Sequence, residues 1–274
     1  MHGFPGYAAG EPVPTLLQIL NGERPANTPP VRVDTIPGTV HGYSGGGVTV
    51  EQQLMMDSTG EQFPSLMREI VLNKVGMTDS TYEQPLPSPL ASLAAAGTDS
   101  CGNTIPGKWH TYPEMAAAGL WTTPTDLAKF ADDIALSVHA RSNLVLSESM
   151  AQEMLKPQIE NVGLGFFLGG NKNPGQFRHG GSDEGFEAEF IMNADSGQGV
   201  AIMTNSANGS ALAELLVESV AREYKWNYIP PQRSAVNLLR LIANAKGVRA
   251  ALGTYSEIKT ASIVSVKRAA SSEG

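Results

Sequence analysis

The chain has 274 residues, 41% of them hydrophobic, a formal net charge of −8 and a pI of about 5.2. That length and apolar content support one large domain or two small ones around a sizeable core, and exclude a disordered chain. An acidic balance with no lysine or arginine run excludes a general attraction for polyphosphate, so no nucleic-acid partner is expected.

No apolar stretch approaches the ~20 residues of a membrane span. The opening Met1-His2-Gly3-Phe4-Pro5-Gly6-Tyr7 lacks the charged start and apolar run of a signal peptide, which leaves the localisation unknown.

The first 47 residues are crowded with proline and glycine, including Pro5, Pro12, Pro14, Pro25, Pro29, Pro30 and Pro37, around a short helical piece at residues 15–20. A compact domain seldom opens with so much irregular chain, so this part is expected to wrap a surface made elsewhere or to lack its packing partner. Helices are predicted at residues 50–57 and 63–73. In the second, Phe63, Leu66, Met67, Ile70 and Val71 repeat at helical spacing, and Gly60 and Gly76 punctuate the pair. Met55, Met56 and Met67 follow helical positions and read as core.

The next passage, residues 84–107, is rich in Pro, Ser and Ala. Its Thr98-Asp99-Ser100-Cys101-Gly102-Asn103 reads as a polar turn holding an incidental thiol, since one cysteine cannot form an internal disulfide. Thr123-Pro124-Thr125-Asp126 then predicts a helix start, with Thr123 as cap, Pro124 in the first turn and Asp126 closing a capping box. A further helix is expected at residues 147–155. From Gly163 the period becomes strand-like, with strands at residues 165–168, 186–193 and 199–205. Residues 210–224 then predict an amphipathic helix with Leu212, Leu215, Leu216, Ser219 and Val220 on its buried face. Pro230-Pro231 marks a boundary, and the tail holds one helical stretch at 235–245 and a β-prone run at 263–266.

Two glycine-flanked clusters could carry chemistry: Gly42-Tyr43-Ser44-Gly45-Gly46-Gly47 ahead of a helix, and His179-Gly180-Gly181-Ser182 ahead of a strand hairpin. One reading is a nucleophile elbow at Ser44, with Asp126 or Asp133 and then His179 completing the order Ser, Asp, His; against it, Pro37 and Gly38 interrupt any strand before Ser44. A second is structural only, with glycines serving turns and His179 a satisfied loop histidine. His2, His41 and His139 show no ligand spacing with one another or with Cys101, so neither a metal nor another cofactor is expected. His110 reads as a pocket residue or as a locally bonded loop histidine.

The third reading takes both clusters with the segments between them. Tyr43-Ser44-Gly45, Val75-Gly76-Met77-Thr78-Asp79-Ser80-Thr81-Tyr82, residues 117 to 130 from Ala117-Ala118-Gly119-Leu120-Trp121 to Lys129-Phe130, Gly163-Leu164-Gly165-Phe166 and His179-Gly180-Gly181 follow one another in an ordered set. Over about residues 1 to 230 the chain therefore resembles the β-lactamase-related serine hydrolases, which include class C β-lactamases, D-alanyl-D-alanine carboxypeptidases and family VIII esterases.

The resemblance implies an α/β (α+β) fold of the β-lactamase/transpeptidase type: a mostly helical lobe over residues 1–155, the later strands and terminal helix of a helix-flanked antiparallel sheet over 156–230, and a truncated extension over 231–274. It implies acyl transfer to water from a small-molecule ester, amide or lactam. Tyr43 would shuttle the proton beside a neighbouring ammonium, His179 would stand where the family's K-T-G lysine does, and Gly45 would sit beside the substrate. Gly180 and Gly181 would let substrate lie against the strand edge, and the Ser182 N–H would form half of an oxyanion hole. Gly45 in place of the usual asparagine and His179 in place of lysine shift the expectation from lactams towards esters or peptides.

The family's S-x-x-K, carrying nucleophile and lysine, belongs roughly a hundred residues before Tyr43. The expectation is that this chain begins too late to contain it, is inactive alone, and pairs with a missing amino-terminal segment that supplies further strands. The tail's Ser256-Glu257-Ile258-Lys259 reads as coincidence.

Overall fold

The computed structural model describes residues 3–227. The expected tail helix, the β-prone run, the Ser256-to-Lys259 stretch and the boundary at Pro230-Pro231 lie outside the described residues.

Helix α1 (Leu16–Asn21) starts from a reciprocal capping box. Thr15 Oγ1 accepts the Gln18 N–H at 3.3 Å and Gln18 Oε1 accepts the Thr15 N–H at 2.9 Å. Helix α2 (Gly45–Thr59) begins five residues earlier than its sequence pattern predicts. Three glycines weigh against a helical start, but Ser44 Oγ accepts the Gly47 N–H at 3.0 Å and the Thr49 hydroxyl donates to the Gly45 carbonyl at 2.9 Å. The predicted helix at 63–73 is a rod of α3 (Phe63–Met67), a π turn (Arg68–Leu72) and α4 (Asn73–Val75), closed by Gly76 at φ +75°.

Two short helices follow, α5 (Ser88–Ala91) and α6 (Met115–Ala118), then α7 (Pro124–Val138) and α8 (Glu148–Met154). Thr123 caps α7 as expected. Asp126, however, does not close a box on Thr123. Its buried carboxylate instead accepts the Asp79 N–H at 2.8 Å, the Ser80 hydroxyl at 2.9 Å and the Lys129 ammonium at 2.8 Å, so the loop after α4 is tied to the start of α7.

The sheet is antiparallel in the order β1 (Phe167–Leu168), β2 (Gln176–Asp183), β3 (Phe186–Asn193) and β4 (Gly199–Thr204). The β3–β4 hairpin falls where predicted. His179 to Ser182 lie ahead of that hairpin as expected, within a strand of their own, β2, that the sequence pattern does not predict. Two adjacent glycines lower strand propensity, but continuous pairing from Gln176↔Asn193 to Asp183↔Phe186 overrides it. Strand alternation puts Phe177, His179, Gly181 and Asp183 on one face with Phe186, Ala188, Phe190 and Met192.

Helix α7 closes that face, packing Ala131, Ile134 and Ala135 on Phe177, Phe190 and Phe166. Helix α9 (Gly209–Glu223) covers the other through Ala213 and Val217 on Ile191 and Ile202. Its buried stripe is Gly209, Ala213, Val217 and Ala221, not the predicted leucine face, because small side chains at i, i+4 spacing let the helix approach the sheet closely. Leu212, Leu215 and Leu216 are 52%, 41% and 40% exposed. The opposite flank faces β3: the Ser210 hydroxyl donates to Glu187 Oε2 at 2.7 Å, and the Glu214 charge acts on Glu189. By helical spacing Leu212 and Leu216 fall on the flank away from Ser210, and Leu215 lies nearly opposite the buried stripe; the outer edge of β4 has no strand partner among the described residues.

Candidate active site

Between the helical lobe and β2 lies a cleft of about 1040 Å³. Tyr43 reaches it from the turn that ends at the Ser44 cap of α2, and His179 from the middle of β2. The two rings meet at a centroid distance of 6.0 Å. Phe167 of β1 packs against both, 6.3 Å from Tyr43 and 5.7 Å from His179, and His41 meets Phe167 edge-on at 6.1 Å. Burial holds the His179 imidazole below its ordinary pKa, against an opposing hydrogen bond with the Gly180 backbone, which favours the neutral ring at physiological pH. Tyr43 is 42% exposed.

Strand β1 pairs only with Phe177 and Arg178, so from His179 onward the cleft-side edge of β2 has no strand partner among the described residues. An extended acyl group can lie along such an edge and take backbone hydrogen bonds. The two glycines differ. Gly181 shares the His179 face, where a Cβ would meet only Ala188 at 3.9 Å. Gly180 points to the α9 side, where a Cβ would come within 2.9 Å of Glu189 Oε2. The Ser182 hydroxyl also turns to that side and donates to Glu187 Oε1 at 2.8 Å. Gly45, the first residue of α2, lines the cleft beside Tyr43.

Ser44 is occupied as a helix cap, with extended backbone at φ −146°. Asp126 is bound as described above, Asp133 accepts the Ser142 hydroxyl, and no hydrogen bond joins Ser44, His179 and either aspartate. His110 lines the cleft and its Nδ1 bonds the Pro5 carbonyl at 2.8 Å, a partner 105 positions away and not a local one.

The β2–β3 turn is clamped to the helical lobe. Tyr112 Oη accepts the Glu184 N–H at 2.9 Å, and Gly185, at φ +79°, lies so close to Gly97 that a Cβ would stand 2.9 Å from its Cα. Beside the clamp, burial pushes the Asp183 carboxyl up to about 7, helped by the charges of Glu114 and Glu187. Burial likewise pushes Glu114 up to about 7; this residue is fully enclosed and neither carboxylate oxygen has a partner among the described residues. Phe167, Asp183 and Glu114 were missed in the sequence. Only Asp183, four positions after His179 on an alternating strand, carried any signal there.

A helical lobe packed on a helix-flanked antiparallel sheet, with a cleft between them, is the architecture of the penicillin-binding proteins and β-lactamases. The β-lactamase family model matches residues 2–222, and the chain belongs to that family of serine hydrolases.

Solved structures show the same fold. An octameric penicillin-binding protein homologue from Pyrococcus abyssi matches at TM-score 0.64 and 18% identity, over 84% of this chain and 52% of that one. FmtA from Staphylococcus aureus matches at 0.61 and 15%, over 85% and 62%. The D-amino acid amidase from Ochrobactrum anthropi, complexed with L-phenylalanine amide, matches at 0.55 and 18%, over 75% and 61%. The chain thus spans about half to two thirds of the length of these structures. No curated protein sequence matches it.

Proposed function

We propose that this chain carries the tyrosine and strand-edge side of a serine acyl hydrolase site, acting on a small ester, amide or lactam, and that the S-x-x-K nucleophile belongs to a segment outside it. The observation that carries the reading is the meeting of Tyr43 and His179, 6.0 Å apart, beside the free edge of β2. In this scheme the acyl group lies along β2 over Gly181, and the Ser182 N–H stabilises the developing oxyanion. The Tyr43 hydroxyl relays a proton between nucleophile and leaving group. His179, kept neutral by burial, orients the tyrosine and the leaving group without the fixed charge of a lysine. The open edge of β4 and the leucine flank of α9 support a partner segment that adds strands and helix there.

A fluorophosphonate, which marks activated serines, tests the proposal when followed by intact mass and peptide mapping. The 274-residue chain gives no adduct, whereas a longer product including an in-frame upstream S-x-x-K is labelled on that serine. In the longer product Tyr43→Phe slows labelling by roughly 10²–10⁴-fold and Ser44→Ala is tolerated. An adduct on Ser44 of the present chain would overturn the assignment in favour of a Ser44 nucleophile.

A further inference from the structure

We propose that Trp109, Trp121 and Phe186 form a specificity pocket for an uncharged, apolar group carried next to the reacting carbonyl, so that the site selects acyl substrates by a bulky neutral side group. All three residues line the cleft and all three are partly exposed. Phe186 opens β3 opposite Asp183, and so stands one residue, about 3.3 Å along the strand, beyond Ser182, whose N–H the hydrolase reading gives to the oxyanion. Its ring is held against Gly97, where a Cβ would come within 2.7 Å. Trp121 meets Phe186 edge-on at 6.2 Å and is fixed by a pair of backbone hydrogen bonds with Thr81, both 2.9 Å. Trp109 meets Trp121 at 5.4 Å, and the Lys108 ammonium lies 5.9 Å from the Trp109 ring centre.

The segment after α5 adds Leu93, Ala94 and Ala95 to the lining, and Leu93 is 80% exposed. A leucine left in water on a cleft that also holds three partly exposed rings is stabilised when an apolar group displaces that water. The charge of the lining points the same way. Among the described residues no lysine or arginine lines the cleft, while Asp183, Glu184 and Glu187 do. A substrate that presents a carboxylate there gives up its hydration and meets like charge.

The assignment deepens the hydrolase reading by naming the group its substrate carries, and rests on it for the chemistry after binding. Binding itself needs no nucleophile and is measured on the intact 274-residue chain. Two of the chain's three tryptophans line the cleft, so in Trp226→Phe the indole emission reports on the pocket alone. In that variant phenylacetamide gives a saturable change in emission and binds at least about tenfold more tightly than acetamide, as burial of an apolar ring requires. 4-Carboxyphenylacetamide binds at least about tenfold more weakly than phenylacetamide. Trp109→Ala and Leu93→Asp each weaken phenylacetamide by about threefold or more. Leu93→Asp does so without lowering the melting temperature, since its position is exposed.

No saturable change at millimolar concentration, equal affinity for phenylacetamide and acetamide, undiminished binding of the carboxylate analogue, or indifference to both substitutions overturns the proposal. Selective binding with no fluorophosphonate adduct in the longer product would remove the hydrolase reading and leave the pocket standing; an adduct there without selective binding would do the reverse.

Discussion

The two faces of the sheet are built from the same strands and end differently. Under α7 the alternating residues are large: Phe177, Phe190 and Phe166 pack ring against ring at 5.2 to 6.2 Å and fill the space to the helix. Under α9 the contact is narrow, Ile191 and Ile202 against Ala213 and Val217, while three leucines of that helix stay in solvent and the outer edge of β4 is unpaired among the described residues. One face is a finished core. The other carries an apolar margin of the kind that calls for a covering element.

The largest test of this contrast is Phe177→Ala, which should cost about 3–5 kcal/mol in denaturant unfolding, because the fully buried ring leaves a cavity among others that cannot collapse. Asp126→Asn should cost roughly 2–3 kcal/mol by removing charge-assisted bonds that join the lobe's loop to α7.

On the α9 face Ala213→Leu should cost about 1–3 kcal/mol, since the buried stripe admits no larger group. Replacing Leu212, Leu215 and Leu216 one at a time with Gln should change stability by less than about 0.5 kcal/mol each, yet reduce self-association in sedimentation velocity. A well-behaved monomer that melts cooperatively and is indifferent to these changes would mean that the margin is not sticky, and the contrast between the faces would lose its meaning.

The carboxyls give the contrast a pH dependence. Glu114 and Asp183, raised to about 7 in the folded chain, burden it above that pH and release the burden as pH falls towards their ordinary values near 4. Burial pushes Asp126 up as well, but bonds from Lys129, Asp79 and Ser80 outweigh it and leave its pKa below the usual value. Its contribution is therefore intact above about 4 and is lost only as pH drops through its folded value. His179, lowered by burial, subtracts from the gain below its ordinary value. The melting temperature should rise between pH 8 and 5 and fall below 4, and Glu114→Gln should flatten the upper slope.

Much of the fold was legible because caps and periodicity act locally. Thr123 and Pro124 marked the start of α7, and the alternation in residues 186–193 marked β3. Strand β2 was hidden because its pairing with β3 supplies what its glycines lack, and sequence periodicity does not register that. The α9 face was misread because hydrophobicity favours leucines, while close approach to a sheet favours Gly209 and Ala213. At the site, Tyr43 and His179 stood out through their glycine neighbours and the ordered motifs. Phe167 and Glu114 did not, since ring stacking and buried charge depend on chain segments far apart in sequence.

The clamp at the β2–β3 turn bears on how the cleft chooses ligands. With Glu184 held by Tyr112 and Gly185 lodged against Gly97, the strand edge that faces substrate is fixed to the opposite wall, and the gap between them is set when the chain folds. The ordering entropy is met at that stage, so little remains to be lost when a ligand enters. Such a cleft discriminates by fit to a ready shape, and a bulky side chain in place of Gly97 would blur selectivity among ligands more than it would weaken any one of them.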